Sequence, residues 1–175
     1  MLAIPVRHLL LQAQVVALAL STPYMMYTAL RILTNCKSPV VVVLSGSMEP
    51  GIHRGDLLFL SNHMPQVYKN GDITVYQVPG EEISIVHRVV QTHTRPVNVS
   101  TPSFQGFLTK GDNNDEDDVT LYKGFERLKR EYVVGKVGCI IPLIGYASIL
   151  FNETHRVRYA MLAITALVNF IPRVH

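Results

Sequence analysis

Three residue types that hydroxyl-based acyl chemistry requires stand in separate contexts along this 175-residue chain. Ser47 lies in Ser45-Gly46-Ser47-Met48-Glu49-Pro50, at the end of an apolar run. His87 sits inside the apolar segment Ile83-Ser84-Ile85-Val86-His87-Arg88-Val89, and an acidic block follows at Gly111-Asp112-Asn113-Asn114-Asp115-Glu116-Asp117-Asp118. A serine hydroxyl attacks a carbonyl usefully only when a base takes its proton, and the base works best when a third group fixes its tautomer. Histidine, with a reference pKa near 6.5, is largely neutral at pH 7; a lysine near 10.4 would need a shift of about three units, roughly 4 to 5 kcal/mol. Each member also has an ordinary reading. Ser-Gly is common turn chemistry, His87 competes with His53, His63 and His93, and an acidic run is usually a solvated loop. A calcium loop is excluded in detail, because its sixth position wants Gly where this chain has Asp117 and its twelfth wants Glu where it has Lys123. Between Asp117 and Asp118 as the acid, the residues leave the choice open.

The elements that must position these groups read as short strands. Residues 40–44 form a β-branched run, 56–61 a second strand after the turn at Arg54-Gly55, 72–78 a third, and 83–91 a fourth that leads into a Pro/Ser/Thr-rich loop at 93–103. Residues 107–110 and 132–141 extend the pattern. Strands punctuated by Gly, Pro and Asn predict a mainly β domain. The organisation expected is an N-terminal tail and apolar helix over 1–34, a β domain over 35–150 and a short apolar helical segment within 151–175.

Residues 9–33 carry no charge before Arg31 and are long enough to cross a hydrocarbon core of about 30 Å at about 1.5 Å per residue. A cleavable signal peptide is the rival, but the stretch exceeds the usual apolar length of about 7 to 15 residues. Arg7 on one side and Arg31 and Lys37 on the other leave orientation undecided by charge. The apolar stretch 159–171 would make a helix of only about 20 Å, so it is a core helix, an interfacial helix or one packed against partner membrane helices. The sequons Asn98-Val99-Ser100 and Asn152-Glu153-Thr154 would place the domain on the lumenal side if used.

Hydrophobic residues make up 48% of the chain and mean hydropathy is +0.21, with the excess near the two ends. The formal charge of +3 is spread thinly, with no basic stripe for nucleic acid. Cys36 and Cys139 make neither a disulfide-dense scaffold nor a zinc spacing, so neither metal nor cofactor is expected.

The motifs together resemble the catalytic subunits of the endoplasmic-reticulum signal peptidase complex, the eukaryotic branch of the type I signal peptidases. The matching pieces are the serine hexapeptide, Arg54-Gly55-Asp56, Gly71-Asp72-Ile73, Ile85-Val86-His87-Arg88-Val89, Thr109-Lys110-Gly111-Asp112-Asn113-Asn114 with Asp117-Asp118, and Gly135-Lys136-Val137. Any one is weak; six in family order, with the anchor, cover essentially the whole chain. The resemblance implies a mainly antiparallel β domain and a membrane-bound serine endopeptidase that removes signal peptides from preproteins entering the endoplasmic reticulum, single-pass with its catalytic domain in the lumen. It implies Ser47 as nucleophile, His87 as general base, Asp118 as the third member, Asp112 as a supporting acid, and an oxyanion hole from Ser45 and the Ser47 N–H. Other membrane subunits and signal peptides are the implied partners, with the substrate extended along a groove that includes Val42, Leu44, Ile85 and Val86. A different class would be a non-catalytic membrane subunit that positions signal peptides. Self-cleaving regulators share the serine-based β architecture but use lysine and lack an anchor.

Overall fold

A computed structural model of the chain describes residues 6–63, 67–81, 83–94 and 105–154, together with 159, 160 and 163. The stretch expected to be helical at 159–171 therefore lies almost wholly outside the described residues, as does Asn98. Helix α1 (Val6–Thr34) opens the fold and contains Leu9–Thr34, which is long and apolar enough to cross a membrane. Its polar insertions are partly answered within the helix. The hydroxyls of Ser21 and Thr22 both donate to the Leu18 carbonyl, at 3.4 and 2.8 Å, which removes their need for an outside partner.

The helix ends where Asn35 takes a left-handed conformation (φ 47°). The Asn35 N–H returns to the Ile32 carbonyl and the Cys36 N–H to the Arg31 carbonyl, both at 3.2 Å, the paired bonds of a Schellman termination. The sheet takes hold of the helix end immediately. Cys36 is buried and its thiol donates to the Val134 carbonyl, while the Asn62 N–H reaches the Thr34 carbonyl and the Asn35 amide the Asn62 carbonyl. Burial also pushes the Cys36 thiol up, away from the reactive thiolate.

Among the described residues seven antiparallel strands follow: β1 (Val40–Val42), β2 (Leu57–Ser61), β3 (Ile73–Tyr76), β4 (Ile85–Thr94), β5 (Gln105–Lys110), β6 (Leu128–Lys129) and β7 (Val133–Ile141). They form one sheet in the order β1-β2-β7-β3-β4-β5-β6. The period of two along each strand splits the apolar residues between two clusters. Tyr76, Val89 and Phe107 belong to one, with Tyr68, Tyr122 and Leu128; Val75, Leu58 and Leu60 belong to the other, with Met48 and Ile52. The expected strands are present with shifted ends. β6 was not expected, since two residues carry no readable alternation. The helix α2 (Tyr146–Glu153) is also additional, and it runs through position 150.

α2 docks on the turn between β1 and β2. A Cβ added at Gly55, which has φ +91°, would lie 2.2 Å from the Tyr146 ring, so the ring lies directly over this glycine. The Asp56 carboxylate ties the same corner by accepting the N–H groups of His53 and Leu143, and Arg54 pairs with Glu153 at 2.8 Å. Gly55→Ala should therefore cost about 1 to 2 kcal/mol for the left-handed backbone plus the displacement of the ring. Thermal unfolding should show the second part vanish, and the first persist, when Gly55→Ala is made in a Tyr146→Ala background.

Candidate active site

The serine turn grows out of the end of β1. Pairing to the β2 side continues one residue past the strand, with the Val43 N–H on the Asp56 carbonyl and the Gly55 N–H on the Val43 carbonyl, both at 2.9 Å. The chain then bends through Ser45 to Pro50 and is pinned by Met48 and Ile52, each 1% exposed in the core. Burial of such side chains is worth about 1.5 to 3 kcal/mol apiece, which gives the turn a firm base. Ser47 is left half-buried above it.

A second segment clamps the turn from the other side. The Asn113 N–H donates to the Ser47 carbonyl at 2.9 Å, and the Asn113 side-chain amide to the Gly46 carbonyl at 3.1 Å. This contact demands a glycine beside it, because a Cβ on Gly111 would come within 2.7 Å of the Ser47 carbonyl oxygen. The Gly-Asp-Asn-Asn block is thus a bracket for the nucleophile's backbone as well as a source of carboxylates.

His87 projects from β4 on the face that carries Tyr76 and Val89, and is 4% exposed. Its Nε2 lies 3.2 Å from Ser47 Oγ and its Nδ1 2.5 Å from Asp118 Oδ2. Asp118 is 1% exposed at the start of a 3-10 turn, Asp118–Tyr122, and the same Oδ2 accepts from Tyr76 at 2.9 Å and Thr109 at 2.6 Å. Asp117 points the other way, exposed, and caps that turn by accepting the Val119 N–H. Of the two neighbouring acids, Asp118 is the one that meets the imidazole. An ionised carboxylate only accepts, so His87 must carry its proton on Nδ1 and present a bare Nε2 to the serine.

The other expected residues are placed as follows. Ser45 Oγ lies 3.3 Å from Ser47 Oγ. Asp112 faces Arg88, which grips both of its oxygens at 2.8 and 2.6 Å and also donates to the Gly71 carbonyl. That bidentate bond is the main reason the Asp112 carboxyl is held below its usual range and the Arg88 guanidinium above its own. Val42 and Leu44 lie on or just past β1, Leu44 being 60% exposed. Ile85 and Val86 project to opposite faces of β4 and pack on different clusters, so they do not share one wall. Asn152 is exposed on α2. Among the described residues no group of His, Cys, Asp and Glu is arranged to hold a metal ion.

Tyr76, Thr109, Tyr122 and Asn113 are the site-building residues that residue-type reasoning passed over. Tyr and Thr are expected in strands on packing grounds alone, so nothing local marks their hydroxyls. Asn113 lay in a block whose acids and motif were noted while no role was read for its amide.

A hydroxyl, an imidazole and a buried carboxylate in file on an antiparallel sheet is the geometry that serine hydrolases use. No protein-family model matches the chain. Among characterised proteins, it is 46% identical over 179 residues to the signal peptidase complex catalytic subunit SEC11 of Schizophyllum commune, an alignment that takes in 96% of this chain and 93% of the relative. It is also 46% identical to the subunit sec11 of Aspergillus oryzae (96% and 94%) and 43% identical to the human subunit SEC11C (95% and 85%). The chain belongs to the family of signal peptidase complex catalytic subunits, which are serine endopeptidases.

The Asp112 pair gives a signed pH test. A carboxyl depressed in the folded state stabilises the fold above its unfolded value, and that contribution is lost as the pH falls through the folded value. Asp112→Asn should therefore be less stable than wild type at pH 7. The two denaturation curves should converge once the pH drops well below the unfolded aspartate value of about 3.9.

Proposed function

We propose that this chain removes N-terminal signal peptides from secretory and membrane preproteins at the endoplasmic-reticulum membrane, with Ser47, His87 and Asp118 as its catalytic triad. The observation that carries the reading is the unbroken file from Ser47 Oγ through His87 to Asp118, in a chain whose relatives are named catalytic subunits. Ser47 Oγ attacks the carbonyl carbon of the scissile bond while its proton passes to His87 Nε2. The tetrahedral intermediate collapses as His87 returns that proton to the leaving amine, and the signal peptide is left as an ester on Ser47. Water then attacks the ester, again giving a proton to Nε2. Collapse releases the signal peptide's carboxylic acid, which gives its proton to solvent, as His87 returns its own proton to restore the serine hydroxyl. The Ser45 hydroxyl and the Ser47 N–H serve the oxyanion, where one such donor typically supplies about 2.7 to 4 kcal/mol.

Among the described residues, two backbone edges beside the nucleophile lack a strand partner and support an extended substrate. Within that set β1 is an edge strand bonded to β2. On β4, pairing to β5 begins at Arg88, so the described partners of Ile85 to His87 are on the β3 side. A peptide strand added here gains main-chain hydrogen bonds, with its alternate side chains set toward shallow apolar surface near Val42, Leu44 and either Ile85 or Val86. Anchored by α1, the chain spans the bilayer once, with its sheet in the lumen, and works with the other membrane subunits of its complex. The sequons at Asn98 and Asn152 support the lumenal placement as acceptors for glycan.

The test is cleavage of a secretory precursor by the reconstituted complex. Ser47→Ala and His87→Ala should each lower the rate by on the order of 10⁴-fold or more while the protein stays membrane-bound, and Asp118→Asn should be nearly as impaired. Asp117→Asn should keep full turnover with little change in stability, since asparagine caps a helical turn about as well as aspartate. Normal cleavage by the Ser47 or His87 variant overturns the mechanism and favours a non-catalytic role in positioning signal peptides; a dead Asp117 variant moves the acid by one residue.

A further inference from the structure

Asp118 Oδ2 is the meeting point of side chains from three consecutive sheet neighbours: Tyr76 on β3, His87 on β4 and Thr109 on β5. The proton inventory of this cluster is fixed by its chemistry. Thr109 has one hydroxyl proton, and the carboxylate, an acceptor only, takes it. The 2.8 Å contact between Thr109 Oγ1 and Tyr122 Oη must therefore use the phenol's proton, while Tyr122 Oη accepts the Thr109 N–H at 2.9 Å. Tyr122 thus sets the rotor of Thr109, and Thr109 and Tyr76 together fill the oxygen that His87 also uses. All five side chains are buried. Burial, with the Asp118 charge second, pushes the Tyr76 phenol well above its ordinary range, so it stays a donor throughout the working pH range.

Resting on the triad reading above, we infer that Tyr76 and Thr109 are positioning residues for the reaction, and that Tyr122 orients Thr109. Their hydroxyls hold the Asp118 carboxylate in one orientation, so that it receives the Nδ1–H of His87 and turns Nε2 toward Ser47. A carboxylate at the end of a side chain rotates about its last bond unless its oxygens are tied. Two neutral donors share Oδ2 with the imidazole and fix the direction from which His87 meets it. They also draw off part of its charge. With a donor removed, more of that charge falls on the imidazolium that forms during catalysis, which favours the protonated, inactive base.

A role confined to folding would leave the pH profile where it is, so that profile is the deciding readout. The titratable groups around the cluster are Tyr76 on β3 and Tyr122 on the 3-10 turn, with two carboxylates whose charge reaches it from outside: Asp112 in the loop after β5, which acts on His87, and the exposed Asp117, which acts on Tyr122. Only Tyr76 and Tyr122 bond into it, so Asp117→Asn, at an exposed residue that caps the turn, serves as the comparison variant.

In the reconstituted complex, Tyr76→Phe and Thr109→Val should each lower kcat roughly ten- to a hundredfold with KM unchanged. The acid limb of kcat/KM should move to higher pH in both. Thr109→Ser, which keeps the hydroxyl, should return both kcat and the limb to wild type. Tyr122→Phe should have a smaller effect, since Thr109 still has its own proton to give. Wild-type kcat in Tyr76→Phe and Thr109→Val overturns the inference. So does a uniform fall in rate with an unmoved acid limb, or a failure of Thr109→Ser to repair Thr109→Val. The triad reading is judged separately. If Ser47→Ala and His87→Ala are inactive while Tyr76→Phe and Thr109→Val are normal, only the positioning role fails; if the first pair cleaves normally, the triad itself fails.

Discussion

A carboxylate buried to 1% exposure is the demand around which this sheet is organised. Left without partners in such a place, the charge would cost several kcal/mol and the site would neutralise itself or open to water. Three adjacent strands and the 3-10 turn answer the demand together. The sheet order β3-β4-β5 is therefore more than a packing solution. It brings residues 76, 87 and 109 to one point, and the turn after β5 returns residue 118 to meet them.

The nucleophile is held by a separate device that depends on backbone more than on side chains. The serine turn is bolted from below by Met48 and Ile52 and from the side by Asn113, with Gly111 providing the closeness. Two segments more than sixty residues apart in sequence therefore meet through the Asn113 amide and through backbone brought close by Gly111. The acid and the bracket lie in one loop, so the geometry of Asp118 and that of Ser47 are linked through a short stretch of chain. Asp112 belongs to the frame of this loop, since its partner is Arg88 on the far face of β4.

Much of this was legible in the chain, and the parts that were not have identifiable reasons. Ser47 and His87 could be read because their chemistry is specific and each sits in a recognisable local context, a strand end and an apolar strand. The alternation that marks strands also located most of the sheet. Asp117 and Asp118 could not be separated by type, and what distinguishes them is that one caps the 3-10 turn while the other points inward. Tyr76, Thr109 and Tyr122 were hidden because their hydroxyls acquire a purpose only from strand order. α2 was missed because eight residues after Pro142 and Gly145 show little period, and its seat is a contact of Tyr146 with a distant glycine. The pairing of Ile85 with Val86 as neighbours in one groove wall neglected the pleat, which sends them to opposite faces.

The junction at Asn35 and Cys36 has a mechanical meaning. A helix joined to a domain through a slack linker lets each part rotate on its own, whereas here the last carbonyl of the helix and the first side chain beyond it are both bonded into the sheet. The direction in which α1 leaves the domain is therefore set by the strands that hold its end and not by a length of free chain. A tilt of α1 relative to the sheet has to break these bonds before it can occur.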